Sequence, residues 1–167
     1  WIWLKNTALI TLIATTGNVL MSSMVGFGFA RIRFPGRDFL FVVLLSTMML
    51  PGIVTLIPRF IMFRELGWND SYLPLTVPSW FGGGAYNIFL VRQFYLTIPR
   101  DMDEAAKIDG CSNWGVWWRI LIPLSYPVIV AIGIFSFVNH WNEFMDALVF
   151  LHTETLKTLS LGLRMFI

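Results

Sequence analysis

Four long stretches of this chain carry no Asp, Glu, Lys or Arg, and they govern what it can fold into. They comprise 25 residues between Lys5 and Arg31, 20 between Asp38 and Arg59, 21 between Asp70 and Arg92, and 23 between Arg119 and Glu143. A helix of about 20 residues crosses a hydrocarbon layer of about 30 Å. A charge at the centre of such a helix costs about 2.5–3.5 kcal/mol on insertion scales, which explains its exclusion. Strands are ruled out by length and by the lack of apolar–polar alternation. The expected fold class is all-α, a polytopic membrane protein. About four transmembrane helices are expected, over about residues 7–30, 39–58, 72–91 and 122–142.

Composition supports a bilayer solvent over a self-made core. The 167 residues are 56% hydrophobic and 13% charged, against about 25% charged in a soluble domain. Eight Trp residues suit a protein with two membrane–water interfaces. A net charge of +2 without a basic run gives nucleic acid nothing to bind. Cys111 is the single cysteine, so an internal disulfide and a cysteine-based zinc site are excluded. The chain opens on Trp-Ile-Trp, and Leu161 to Ile167 bring no terminating signal. Both ends are therefore expected to lie inside a longer protein.

The stretches differ in regularity. The second holds Pro51-Gly52, and the third holds Pro74, Pro78 and Gly82-Gly83-Gly84. Backbone groups freed by such breaks need protein or a water-lined cavity beside them. Either a kink with close helix packing or a third span lining a passage meets that need. The segments from Arg31 to Arg37 and from Arg92 to Arg119 hold seven Lys/Arg, against five elsewhere. The positive-inside rule places both in the cytoplasm.

Residues 98–123 are the most informative. Asp101 and Glu104 form a capping-box pattern, which predicts a short helix to about Asp109. Gly110 is placed as its left-handed terminator. Ser112 can cap a second short helix, and Pro123 marks the entry to the fourth span. The expected unit is a helix–turn–helix beside the membrane. Ala105 and Ala106 give its first helix a low surface that a partner can approach, with Glu104, Lys107 and Asp109 around it.

Glu104-Ala105-Ala106, three residues, Gly110, nine residues, Ile120, one residue, Ile122 and Pro123 follow in order. This resembles the EAA loop of ABC importer permeases, E-A-A-x3-G-x9-I-x-L-P. Ile122 stands where the family usually has Leu, which keeps bulk and apolarity. Residues 29–36 (Phe-Ala-Arg-Ile-Arg-Phe-Pro-Gly), Trp141 to Phe144, Ala147 to Leu151 and Leu159 to Leu163 are similar to segments of the carbohydrate, MalG-like branch. The resemblance covers nearly the whole chain. Family members have about six spans, so the first and last would lie outside this sequence.

The resemblance implies a permease subunit of the bacterial inner membrane, forming half of a translocation pathway. Its cytoplasmic coupling loop would dock on a separate ATPase subunit, with Glu104 in contact, Ala105 and Ala106 allowing close seating, and Gly110 setting the angle between the helices. Asp109, Ile120 and Pro123 belong to the same loop. Implied partners are a second, different permease chain, two ATP-binding subunits and an extracytoplasmic solute-binding protein. ATP and Mg would be held by the ATPase, leaving this chain without a cofactor and without enzyme activity. Consistently, no G-x-x-x-x-G-K-[ST] loop occurs. Gly26-Phe27-Gly28 sits within the first span, where small residues pack helices.

The branch implies a sugar or related solute, an oligosaccharide or a glycerol phosphate among them. Trp80, Tyr86 and Asn87 are the pathway candidates, weighed against lipid-facing or helix-packing roles. Asn87 stands out because a buried amide in a membrane needs a partner. Glu143 and Asp146, at the outer end of the fourth span, are candidates for contact with the binding protein or plain surface charges. His140 and His152 lack the neighbours of a metal site. A secondary transporter is the alternative function, although the stretches lack the intramembrane acids common in ion coupling. A membrane-embedded enzyme would need a reactive cluster, and none is marked. A permease for a non-sugar solute is a further alternative.

Overall fold

The computed structural model describes residues 1–164, and among these every regular element is helical. The expectation for the chain end at Ile167 lies outside the described residues. The spine is α1, Ile2–Arg31, a helix of 30 residues. Its inward face is made of small and polar residues: Asn6, Thr7, Thr11, Ala14, Gly17, Ser22, Ser23, Gly26 and Ala30 are buried, joined by Ile10 and Phe27. Leu4, Leu9, Leu12 and Ile13 face outward. This inverts a soluble amphipathic helix. In lipid no hydrophobic force drives helices together, so close approach of small residues and polar contacts does the packing.

Two apolar clusters sit at opposite ends of α1. Phe27 and Ala30 meet Val91, Tyr95, Val116, Trp117, Leu121 and Ile132 at one end. Ile10 joins Phe63, Leu75, Ala147, Phe150, Leu151 and Leu161 at the other. Gly26 admits Val91, as expected of small-residue packing, since a Cβ there would lie 3.0 Å from Val91 Cγ1.

Among the described residues, α1 is the one helix long and apolar enough to cross a membrane by itself. Counting each sharply bent pair as a single span raises the number to three. The stretch expected at 39–58 is α2, Arg37–Ser46, with a 3₁₀ turn over Thr47–Met49, and then α3, Gly52–Glu65. The two parts meet at 101°. Pro51 is the cause: it forces Leu50 into an extended conformation (ψ 117°) and is itself extended (ψ 133°).

The stretch expected at 72–91 is likewise not one helix. It consists of α4, Leu73–Thr76, a 3₁₀ turn over Val77–Trp80, and α5, Ala85–Thr97, which runs past residue 91. Gly82, Gly83 and Gly84 all have positive φ and form the elbow. The fourth stretch begins earlier than residue 122. After α6, Asp101–Ile108, come α7, Asn113–Gly115, a π-helical turn over Val116–Leu121 and α8, Ile122–Leu124. The chain turns 82° at Ser125 into α9, Tyr126–Trp141. Pro123 thus precedes the break, and Pro127, which has no N–H to continue the helix, starts the new one.

Beyond α9 lie α10, Met145–Phe150, and α11, Leu159–Leu163. Asp70 ties this end to the link after α3. It adopts a left-handed φ of 57°, and its N–H donates to Phe150 O at 2.9 Å. Its carboxylate accepts the N–H groups of His152 (2.9 Å) and Thr153 (2.8 Å) and the Thr153 hydroxyl. These bonds, the Thr153 hydroxyl foremost, hold the Asp70 carboxyl below its ordinary value.

The fold makes two expectations. Gly83 has φ 64°, and a Cβ there would lie 2.2 Å from Ser22 Oγ and 2.7 Å from Asn18 O. Gly83→Ala should therefore cost at least the roughly 1–3 kcal/mol of an overpacked core. Thermal unfolding of the detergent-solubilised full-length protein reads this, and an unchanged midpoint refutes the close approach. Asp70, with its depressed pKa, contributes stability that is complete above about pH 5 and declines as pH falls through the ordinary carboxylate value near 3.9. Asp70→Asn should flatten that acid limb; equal acid sensitivity in both proteins would show that the carboxylate is not the cause.

Candidate functional site

Residues 98–124 form the helix–turn–helix that the spacing predicts, with one change in how it starts. The N-cap of α6 is Arg100, whose carbonyl accepts from Asp103 N–H (2.9 Å) and Glu104 N–H (3.1 Å). Asp101 is already the first helical residue, and no side chain caps the helix, so the capping box does not form. Asp101, Asp103 and Glu104 instead place three negative charges in the first turn, where the helix dipole favours them.

The end of α6 follows expectation. Gly110 has φ 80°, and its N–H reaches Lys107 O at 3.0 Å while Cys111 N–H reaches Ala106 O at 2.9 Å. This is the paired bonding that a left-handed glycine permits. Ser112 Oγ accepts Gly115 N–H at 3.2 Å and caps α7. Glu104, Ala105, Asp109 and Gly110 are exposed, Ala106 and Ile120 are partly buried, and Pro123 is exposed. Ile108 is 86% exposed at the tip of α6. An apolar side chain so placed on a polar helix was missed in the sequence reading.

The loop is fastened to α1 by a second feature that sequence reasoning missed. Arg31 Nε lies 3.2 Å from Asp103 Oδ2, with both side chains nearly buried. The same guanidinium donates to Ile98 O at 2.8 Å. One arginine at the end of α1 thus holds both the start and the first turn of the loop. Its signal was present: Asp103 lies between the loop acids, and Arg31 directly follows the first uncharged stretch. Beside this pair opens a cavity of about 450 Å³, lined by Phe27, Arg33, Arg100, Glu104, Lys107 and Asn113 among others.

The three pathway candidates have different surroundings. Trp80 packs its indole against Gly17 of α1, where a Cβ would lie 2.5 Å from Nε1. Tyr86 is half exposed. Asn87 is buried and has the partners its amide requires: Nδ2 donates to Asn18 Oδ1 (2.7 Å) and Ser136 Oγ (3.1 Å). Ser22 Oγ donates to Gly83 O at 2.7 Å beside them. The group joins α1, the glycine elbow, α5 and α9.

Glu143 and Asp146 lie beyond α9 rather than at its end. Glu143 Oε1 accepts Asp146 N–H at 3.0 Å, and Asp146 pairs with Arg59 of α3. Both line a cleft of about 240 Å³ with Ser79, Asn139 and His140. His140 Nδ1 donates to Ser136 O at 2.7 Å. In the neutral ring that leaves Nε2 to accept the Ser79 hydroxyl, 3.3 Å away. His152 is exposed.

Removing one partner of a buried ion pair strands the other. Arg31→Met and Asp103→Leu should each destabilise the protein by about 3–5 kcal/mol, while Arg31→Met/Asp103→Leu together should cost less than their sum. Thermal unfolding of the four proteins measures the coupling, and strict additivity would show that the two side chains do not interact.

Several known proteins resemble this chain. An arabinooligosaccharides transport system permease protein, AraQ, of Halalkalibacterium halodurans is 33% identical over 163 residues, covering 98% of this chain and 58% of the relative. AraQ of Bacillus subtilis is 35% identical over 161 residues, covering 96% and 57%. The chain therefore spans a little over half the length of these relatives. A bacterial ABC transporter that imports the acidic polysaccharide alginate superposes with a TM-score of 0.91 at 26% identity, over 100% of this chain and 58% of its own. Residues 8–163 match one family throughout, and the chain belongs to it: the binding-protein-dependent transport system inner membrane components.

Proposed function

We propose that this chain is the central part of a permease subunit in an ATP-driven importer of a sugar or related solute. It contributes half of the translocation pathway and takes up the stroke of a separate ATPase through α6. The observation that carries the proposal is the exposed face of α6. Glu104, Ala105 and Ile108 stand free on a helix whose opposite side is pinned to α1 by Arg31 and Asp103. A docked partner would push on a lever already joined to the spine.

In this reading Glu104 meets a cation or amide donor on the ATPase, Ala105 and Ala106 let the helices close, and Ile108 fills an apolar socket. Asp109 lies at the turn. Gly110 keeps α7 clear of the docking face, and Ile120 and Pro123 carry the motion into α9. ATP and Mg belong to the ATPase. Rigid-body rocking of the spans then follows from differential contacts in two states.

The finer architecture is part of the same proposal. The broken pairs count as spans, giving four, with α6 in the cytoplasm and the cleft around Glu143 and Asp146 on the outer side. A second permease chain covers the exposed apolar faces, and an extracytoplasmic binding protein delivers solute on the outer side. Trp80 and Asn87 serve as scaffold more readily than as solute contacts, because their polar and apolar surfaces are already engaged. Tyr86, half exposed, remains a pathway candidate. The sugar class is supported by the arabinooligosaccharide and alginate transporters that the chain resembles.

Gly110→Pro tests the coupling role, because proline cannot adopt the φ of 80° found there. The full-length protein should insert normally, while its ATPase no longer co-purifies. Glu104→Lys should leave ATP hydrolysis uncoupled from uptake. Retention of the ATPase and of ATP-dependent uptake in both variants would remove α6 from the coupling role. Uptake driven by an ion gradient in the absence of any ATPase would favour the secondary transporter instead.

A further inference from the structure

A basic cleft lies between the link after α1 and the start of α6. Arg33, Phe34, Gly36, Arg37, Asp38, Phe39 and Arg100 line a volume of about 460 Å³. That falls within the roughly 300–1,000 Å³ of small-molecule pockets. Three arginines face it from two segments 67 residues apart in the chain. Arg37 Nε is neutralised by Asp38 Oδ1 at 2.9 Å. Arg33 and Arg100 have no ion-pair partner among the described residues, and both also border the neighbouring cavity.

A second observation points to the same ligand chemistry. The ten-residue helix α2 opens into this cleft with Gly36 at its N-cap (φ 79°) and no side chain capping it. Asp38, the acid of its first turn, is held by Arg37, and the amide end of a helix favours an anion. Two free guanidinium groups beside it match the oxygens of a phosphate.

The position decides between a free anion and a lipid. The cleft lies where the uncharged run of α1 ends and that of α2 begins, at headgroup depth for a membrane protein. Its wall includes Phe34 and Phe39, 37% and 71% exposed, and Leu40 follows at 47%. A soluble phosphate needs no apolar wall, whereas a phospholipid places acyl chains there.

We infer that Arg33, Arg100 and the N-terminus of α2 form a site for the phosphate headgroup of an anionic phospholipid. The lipid would bridge α2 to the first turn of α6. The site thereby fastens to the bilayer a loop that Arg31 already fastens to α1.

Native mass spectrometry of the full-length protein in detergent, with phosphatidylglycerol or phosphatidylcholine added, tests this. Wild type should retain phosphatidylglycerol in preference, and Arg33→Ala/Arg100→Ala should lower that preference by about fivefold for each arginine removed. Arg64→Ala, which removes one charge at the far end of α3, should keep the wild-type preference and shows that the double variant's loss is not general charge. Equal retention of the two lipids overturns the proposal, and so does a preference that survives in the double variant. Displacement of phosphatidylglycerol by millimolar inorganic phosphate would assign the cleft to a free anion and overturn the lipid.

Discussion

Packing against α1 is the constraint on which the rest depends. Its inward face offers Gly17, Ser22, Gly26 and Ala30 instead of leucines, because lipid already solvates leucine and gives no gain on burying it. Backbones can then approach. The indole of Trp80 reaches Gly17, the carbonyl of Gly83 reaches Ser22, and Val91 reaches Gly26. The two asparagines of α1 find partners within the protein: Asn6 Nδ2 donates to Thr155 O and Lys157 O at 2.8 and 2.9 Å, and Asn18 Oδ1 accepts from Asn87. Interhelical hydrogen bonds of this kind average only about 0.6 kcal/mol in membrane proteins. Their weight is in register, since each one specifies which turn of α1 meets which break in a neighbour.

Irregular backbone is tolerated here because it is covered by that spine. The elbow at Gly82–Gly84 would expose unpaired carbonyls to hydrocarbon if it faced lipid. Against α1, Gly83 O receives the Ser22 hydroxyl instead. The same logic holds at the loop end. Ile98 O, just past the last turn of α5, receives the Arg31 guanidinium, and Asp103 balances the charge. The first turn of α6 and the residue that ends α5 are thus both joined to the end of α1.

The helical class and the uncharged stretches were legible from charge spacing, because excluding a charge from hydrocarbon is a local, residue-by-residue demand. The end of α6 at Gly110 and the Ser112 cap were legible for the same reason: each depends on a few neighbouring residues. Continuity of the stretches was not. Pro51, Pro74 and Pro78 announced breaks, but a bend of 101° between α2 and α3 depends on where the two parts find packing partners. The capping box at Asp101 failed because Arg100 starts the helix, and Asp103 turns inward to a partner 72 residues earlier. Likewise Asp146 read as a binding-protein contact or a plain surface charge, and its pairing with Arg59 of α3 came only with the fold.

By itself the sequence determined that the chain is a helical membrane protein and that residues 104–123 carry a family signature. Both follow from residue type and spacing, which act over a turn or two of helix. The tertiary structure alone decided which polar residues meet: Arg31 with Asp103, Asn87 with Asn18 and Ser136, and Arg59 with Asp146. Those partners lie on different helices, far apart along the chain. No local preference selects them; they are chosen by the register at which each broken segment settles on the small-residue face of α1.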